Sequence, residues 1–212
     1  MEVNIIKRII SILIVFLVSM MVFAPSASAW SSPTHEKIAT TIYNHLSAGV
    51  RAHLNLSEMQ RGAYEPDTEG FKNKSKESLN DPNIHRYPAT VNKTIKWISK
   101  AEKAYAAGNY NDASYDIGVA SHYIADTGCA VHSVHVGNIS HHLYENQATK
   151  LTPKIDLSGI KRASIADMLK NEYKEGPVFW NNWKNSRKDS IQQTNLNKAT
   201  SVAYILINRH IK

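Results

Sequence analysis

Apolar residues recur every three or four positions along most of this chain, and that spacing limits the folds open to it. Ile38, Ile42 and Leu46 follow Pro33 and lie on one face of a predicted first helix that ends by Gly49. The same spacing predicts five further helices, marked by Val91 to Tyr105, Asp112 to Asp126, residues 137–149, Ile165 to Leu169 and Ala199 to Leu206. The alternating pattern of a strand is not found over any useful length. The sequence therefore predicts an all-α fold, a single-domain multi-helix bundle.

Residues 57–88 break this pattern, because they hold Gly62, Gly70 and several prolines. Glycine and proline favour turns over the interior of a helix. We therefore expect mostly loop between the first and second long helices.

The first 29 residues have the composition of an export signal. Lys7 and Arg8 precede an apolar run of 15 residues, and the small residues of 24–29 follow it. The run is shorter than the roughly 20 residues that a membrane-spanning helix needs. We expect a signal peptide over residues 1–29 that is cut after Ala29, a secreted or extracytoplasmic protein, and one domain over 30–212. An uncleaved membrane anchor is the alternative.

The net charge limits the binding partners that we expect, and the cysteine content limits the sources of stability. The net charge of +7 favours binding to anionic phospholipid, nucleic acid or cell-wall polymer without selecting among them. Cys129 is the single cysteine, so an internal disulfide is excluded although the expected compartment is oxidising. Stability must come from the core and, if a metal binds, from the metal.

Residues 121–146 concentrate five of the ten histidines of the chain. His122 and Asp126 are four residues apart, a spacing that puts both side chains on one face of a helix. His141 and Glu145 repeat this spacing, and His132 lies between the two pairs. Nitrogen and carboxylate donors without thiolates suit zinc. The segment therefore predicts a metal cluster between helices.

His142 and the α-amine of Trp30 are two further candidate metal donors. His142 lies three residues before Glu145 and competes with His141 as its partner, although the four-residue spacing favours His141.

Cleavage after Ala29 would free the α-amine of Trp30, whose pKa of about 7.7–8.0 lets a metal displace its proton at neutral pH. His35 follows on the first helical turn and could bind the same ion.

With these features the sequence resembles the zinc-dependent phospholipases C and the related zinc-dependent single-strand nucleases. Those proteins are exported and helical, and their mature N-terminal tryptophan binds zinc. Nine positions match in order along the chain: Trp30, His35, Asp67, His85, His122, Asp126, His132, His141 and Glu145. The resemblance implies three zinc ions, one held by Asp67, His85, His122 and Asp126, one by His132, His141 and Glu145, and one by Trp30, His35 and Asp126.

The same resemblance implies a function. It suggests a phosphodiesterase that hydrolyses phospholipids to diacylglycerol and a phosphorylated headgroup, with Asp67 as ligand or as general base for the attacking water. The expected partner is a phospholipid or membrane surface, and no protein partner is inferred. A single-strand-specific nuclease or 3′-nucleotidase with the same three zinc ions is the first alternative. A non-catalytic metal-binding exported module is the second.

Some positions depart from the family pattern. Arg86, Tyr87 and Pro88 follow His85, where the family has two bulky apolar or aromatic residues and then an acid. His85 could therefore be an ordinary loop histidine. Thr68 follows Asp67, where the choline-specific phospholipase has a tyrosine, so selection for a choline headgroup is not implied.

Overall fold

The computed structural model describes residues 30–68 and 84–212, and it confirms the all-α prediction. No strand occurs in these ranges, and none of their helices is long and apolar enough to cross a membrane. The expected signal peptide and residues 69–83 of the expected loop lie outside the described residues. The α-helices, in chain order, are α1 Ser32–His45, α2 Ala48–Arg51, α3 Leu56–Tyr64, α4 Ala89–Ala106, α5 Tyr110–Gly128, α6 Asn138–Ala148, α7 Ile165–Ser186 and α8 Asp189–His210. Two short 3-10 helices cover Glu65–Asp67 and Ala130–His132.

Helix α5 is the centre of the bundle. Every residue from Ile117 to Gly128 is buried, and α1, α3, α4, α7 and α8 all contact this helix. A helix that is covered on all sides must be apolar or have its polar groups paired. The polar side chains of α5, among them His122 and Asp126, therefore have to find partners inside the protein.

The expectation of loop over residues 57–88 is wrong for its first part, since Leu56–Tyr64 is helical. The side chain of Asn55 caps this helix by accepting from the backbone N–H groups of Ser57 and Glu58, at 3.1 and 3.4 Å. Gly62 and Gly118 lie where α3 crosses α5, and a Cβ on either would collide with backbone of the other helix. Gly62 thus allows two helices to approach closely, although it reads as a turn signal in the sequence.

Helices α1, α4, α5 and α6 begin and end near their predicted limits, whereas α8 begins at Asp189, well before the predicted Ala199. Helix α1 stops at His45 because Leu46 is extended, and Ser47 then caps α2 by accepting from the Val50 N–H at 3.3 Å. Helix α5 begins at Tyr110, two residues before the predicted Asp112, which therefore lies in its first turn. Helix α7 is much longer than the predicted segment Ile165 to Leu169. It continues through Pro177 and ends before Arg187, whose backbone is left-handed.

An aromatic cluster joins the segment before α1 to α6 and α7. Trp30 is fully buried and its ring centroid lies 5.7 Å from that of Tyr144. The Tyr144 ring in turn lies 4.9 Å from Trp183, which packs on Trp180 at 5.3 Å. The two α7 tryptophans belong to the core, and they fix α6 against α7.

Candidate metal centre

The site is built on the last two turns of α5. His122 and Asp126 are both fully buried, and His122 Nε2 lies 3.1 Å from Asp126 Oδ2. His122 Nδ1 donates to the backbone oxygen of Ala63 at 2.8 Å, which fixes the ring and leaves the lone pair on Nε2. A histidine held by a backbone carbonyl through one nitrogen presents the other to a metal.

Two more histidines converge on Asp126 from other elements. His35, on α1, has its Nε2 3.1 Å from Asp126 Oδ1, without the geometry of a hydrogen bond. His85, before α4, has its Nδ1 2.6 Å from Asp126 Oδ2 and 3.0 Å from His122 Nε2. The structure therefore places His85 at the site and not in an exposed loop.

Asp67 completes this first group from the 3-10 turn that follows α3. Its carboxylate oxygens lie 3.6 Å from His122 Nε2 and 3.8 Å from both His35 Nε2 and His85 Nδ1. The Asp67 side chain is 7% exposed, whereas those of the other four members are exposed by 3% or less. Asp67 thus lies on the solvent side. We call His35, Asp67, His85, His122 and Asp126 the α5 group.

The α5 group fits a divalent cation by its compactness and its unpaired atoms. Among the described residues, two sets of three donors lie within 4.8 Å of one another: His35, Asp67 and His122, and His85, His122 and Asp126. Both ring nitrogens of His35 and Oδ1 of Asp126 are buried without a hydrogen-bond partner. Buried polar atoms without partners are costly, and a cation bound between His35 Nε2 and Asp126 Oδ1, which lie 3.1 Å apart, would satisfy two of these three atoms.

The electrostatics of the group also suit a cation. Burial lowers the pKa of His122 from its ordinary value, so the ring is neutral and can donate its lone pair. Burial alone would raise the pKa of Asp126, but contacts with His122, His35 and His85 hold that pKa well below its usual range. The centre of the site is therefore an ionised carboxylate surrounded by imidazoles.

A second set of donors lies along α6. His141 Nε2 is 2.9 Å from Glu145 Oε1, and the His132 and His141 rings are 5.4 Å apart. His132 Nδ1 donates to the backbone oxygen of His85 at 2.7 Å, and its Nε2 is buried without a partner. Burial lowers the pKa of His132 from 6.5 to about 3, so this ring is neutral. We call His132, His141 and Glu145 the α6 group; it is not one of the two sets within 4.8 Å.

His142 remains a neighbour of this group. Its Nδ1 lies 3.3 Å from Glu145 Oε2, but its side chain is 31% exposed, whereas that of His141 is 2% exposed. The geometry favours His141 as the inward-facing histidine.

Trp30 is fixed beside the α5 group. Its indole Nε1 donates to the backbone oxygen of Ala125 at 3.0 Å, one residue from Asp126. This hydrogen bond spans 95 positions of sequence and holds the segment before α1 against α5.

Asn195, on α8, is a site-organising residue that sequence reasoning missed. It is buried, and its Oδ1 accepts from the Ala130 N–H at 3.1 Å and from the Tyr144 hydroxyl at 2.7 Å. Its Nδ2 donates to the Gly128 oxygen at 2.8 Å. One amide thus fixes the bend between Asp126 and His132. No local signal marks it, because an asparagine within a helical pattern reads as a surface residue.

Comparison with protein families matches residues 34–199 to "zinc dependent phospholipase C". Among solved structures, the fold is similar to the alpha-toxin of Clostridium perfringens from avian strain SWCP, with a TM-score of 0.58 and 15% identity over 87% of this chain and 64% of that one. It is also similar to the alpha toxin of Clostridium absonum, with a TM-score of 0.57 and 17% identity over 86% and 63%. This chain therefore spans less than two thirds of either toxin. No curated protein gave a significant match to the sequence.

Proposed function

Because this chain belongs to the zinc-dependent phospholipase C family, we propose that it is an exported phosphodiesterase that hydrolyses phospholipids to diacylglycerol and a phosphorylated headgroup. The observation that carries the proposal is the α5 group. Asp126 lies within about hydrogen-bond distance of three imidazoles, and several buried donor atoms there have no protein partner.

The donor set supports three zinc ions, distributed as the family resemblance implies. Asp67, His85, His122 and Asp126 would hold the first, and His132, His141 and Glu145 the second. Trp30 and His35 would hold the third together with Asp126, provided that a signal peptidase frees the amine of Trp30. Zinc bound at such a site supplies positive charge that offsets the phosphodiester anion, and lowers the pKa of a bound water.

Residues of this chain would do the remaining chemistry. Asp67 is the most exposed carboxylate of the α5 group, so it can accept a proton from an attacking water, and its Oδ2 and Oδ1 atoms lie 3.8 Å from His35 Nε2 and 3.6 Å from His122 Nε2. The carbonyl oxygens of Ala63 and His85 hold His122 and His132 in fixed orientations. Asp126 stays ionised between its histidines and orders them around one point.

The test is turnover by purified, zinc-loaded protein of residues 30–212 on mixed phospholipid vesicles and on single-stranded DNA. We expect diacylglycerol release from the lipid and intact DNA. Cleavage of DNA with intact lipid would favour the nuclease. Absence of turnover on both substrates at full zinc occupancy would favour a non-catalytic metal-binding protein.

Asp67→Asn separates catalysis from metal binding. We expect this variant to lose turnover, because an amide cannot accept the proton, while most of the zinc remains bound through the histidines and Asp126. Metal analysis beside the lipid assay measures both. If turnover survives, Asp67 is a ligand at most.

The role of Trp30 is testable by extending the chain. Extra residues ahead of Trp30 would convert its amine into an amide, which cannot replace the amine as a ligand. We expect one zinc ion fewer than in protein that begins at Trp30. Three zinc ions in the extended form would remove Trp30 from the ligand set.

A further inference from the structure

A stripe of exposed side chains runs along the outer side of α6. Ile139 is 80% exposed and Leu143 is 50% exposed, although both are large and apolar. Asn146 continues the stripe, since steps of four and three residues return to the same side of a helix, and Lys150 follows in the turn just beyond the end of α6. His141 and Glu145 are offset from the stripe by two residues, roughly half a turn. Helix α6 therefore has a metal-facing side and an apolar outer side.

A groove lies beside this stripe, between α6 and the end of α7. It has a volume of about 380 Å³ and is lined by Leu143, Asn146, Gln147, Lys150, Trp183 and Arg187. The indole N–H of Trp183 donates to Gln147 Oε1 at 2.8 Å, and this hydrogen bond fixes the two side chains that form the bottom of the groove. The Arg187 guanidinium lies 4.2 Å from the centroid of the Trp183 ring, so its charge is held over the groove.

The charge around the groove is mainly positive. Lys150, Lys184, Arg187 and Lys188 are all exposed in this region. Asp189, an acid that follows Lys188 in the sequence, accepts a hydrogen bond from Gln147, and Glu145 faces inward to His141. An apolar stripe bordered by cations matches the interface of an anionic bilayer, which offers acyl chains beneath a layer of phosphates.

We propose that the stripe and groove form a docking surface for anionic phospholipid membranes. Ile139 and Leu143 enter the upper acyl region, and Lys150 and Arg187 contact lipid phosphates. Because a helix with its side chains is about 10–12 Å across, docking would bring His141 and Glu145 within one helix diameter of the lipid. The inference rests on the proposed function and deepens it, since it names the surface that would hold the protein on the bilayer that contains its substrate.

Vesicle co-sedimentation of residues 30–212 tests the surface, with phosphatidylcholine vesicles compared with mixed phosphatidylcholine and phosphatidylglycerol vesicles. We expect wild-type protein to bind the anionic vesicles and to release as salt is raised. The double variant Ile139→Ser/Leu143→Ser should bind about tenfold more weakly, because it loses the buried apolar area. The double variant Lys150→Gln/Arg187→Gln should lose the preference for anionic vesicles.

The matched control is Ile95→Ser. Ile95 is an isoleucine of α4 that is 46% exposed and lies on another helix. The Ile95→Ser variant should bind vesicles as tightly as the wild-type protein does. Binding by the Ile139/Leu143 variant equal to wild type, an equal loss in the control, or no vesicle binding by wild type would each overturn the proposal.

A soluble substrate separates this inference from the proposed function. A short-chain phospholipid below its micelle concentration reaches the site without a membrane. We expect unchanged turnover of it by the Ile139/Leu143 variant and reduced turnover of vesicle lipid. If wild type hydrolyses neither substrate but binds anionic vesicles through this surface, the phospholipase assignment fails while the docking surface stands.

Discussion

The α5 group and the α6 group differ in how the protein holds their donors. The five members of the α5 group come from four separate segments that all meet at the buried end of α5. The α6 group takes two members from one helix whose outer side is exposed, and its third, His132, comes from a short 3-10 turn. Tertiary packing thus sets the α5 group, whereas the four-residue repeat of a single helix sets most of the α6 group.

The α6 group depends on the α5 group for the orientation of one of its members. His132 is oriented by the carbonyl oxygen of His85, a member of the α5 group. Damage to the α5 group should therefore disturb both groups, whereas damage to the α6 group should stay local.

Asp126→Asn should have the largest effect. The variant removes the carboxylate that lies nearest to His35, His85 and His122, at 2.6 to 3.1 Å, so we expect turnover to fall roughly 100-fold or more and zinc to be lost from the α5 group. Activity on phospholipid and zinc content measure this. Asp112→Asn, an exposed position in the first turn of the same helix, is the control and should keep both. Full zinc content in Asp126→Asn would remove Asp126 from the centre of the site.

His141→Ala should have a smaller effect, confined to the α6 group. It removes the buried histidine that contacts Glu145, so we expect loss of one zinc ion and a fall in turnover of about 10- to 100-fold. His142→Ala is the control, because its side chain is partly exposed and its contact with Glu145 is longer. The reverse result, with loss of zinc in the His142 variant alone, would make His142 the ligand.

Gly128→Ala tests the bend between Asp126 and His132, which connects the two groups. A Cβ at this position would lie 2.9 Å from both Ala199 Cβ and Glu172 Oε2, so the bend that Asn195 fixes would have to shift. We expect the free energy of unfolding to fall by about 1–3 kcal/mol. Chemical denaturation measures it. Gly49→Ala is the control, since nothing lies within 4 Å of a Cβ there, and it should be neutral or slightly stabilising.

Glu172→Gln should have the smallest effect, and one that depends on pH. Glu172 packs against Gly128, is buried, and has no hydrogen-bond partner for Oε2; burial raises its pKa well above 4.5. The folded protein then binds more protons than the unfolded chain above pH 4.5, so the glutamate lowers stability as pH rises. Glutamine avoids this cost.

We therefore expect Glu172→Gln to melt at a higher temperature than wild type at pH 7–8, with the difference disappearing below about pH 4.5. Glu175→Gln, an exposed acid on the same helix, is the control and should lack that pH trend. A destabilised Glu172 variant at neutral pH would indicate that the carboxylate has a partner in solution, such as a bound cation.

Much of the fold was predictable because helical spacing is a local property. The stripes of α1, α4, α5, α6 and α8 are visible within short windows of sequence, and the limits of all but α8 differ from prediction by a few residues. Helix α3 was missed because Gly62 reads as a turn residue until α5 is packed against it. Most of α7 was missed because Gly176 and Pro177 interrupt its pattern.

The sequence by itself determined the donor types and the two helical pairs, His122 with Asp126 and His141 with Glu145, since a four-residue interval fixes direction on a helix. Only the tertiary structure decided that His35, Asp67 and His85 meet at Asp126, that Asn195 fixes the bend beyond it, and that Glu172 is buried without a partner. These contacts join residues separated by tens of positions. Their distances depend on how the helices pack, which no local spacing encodes.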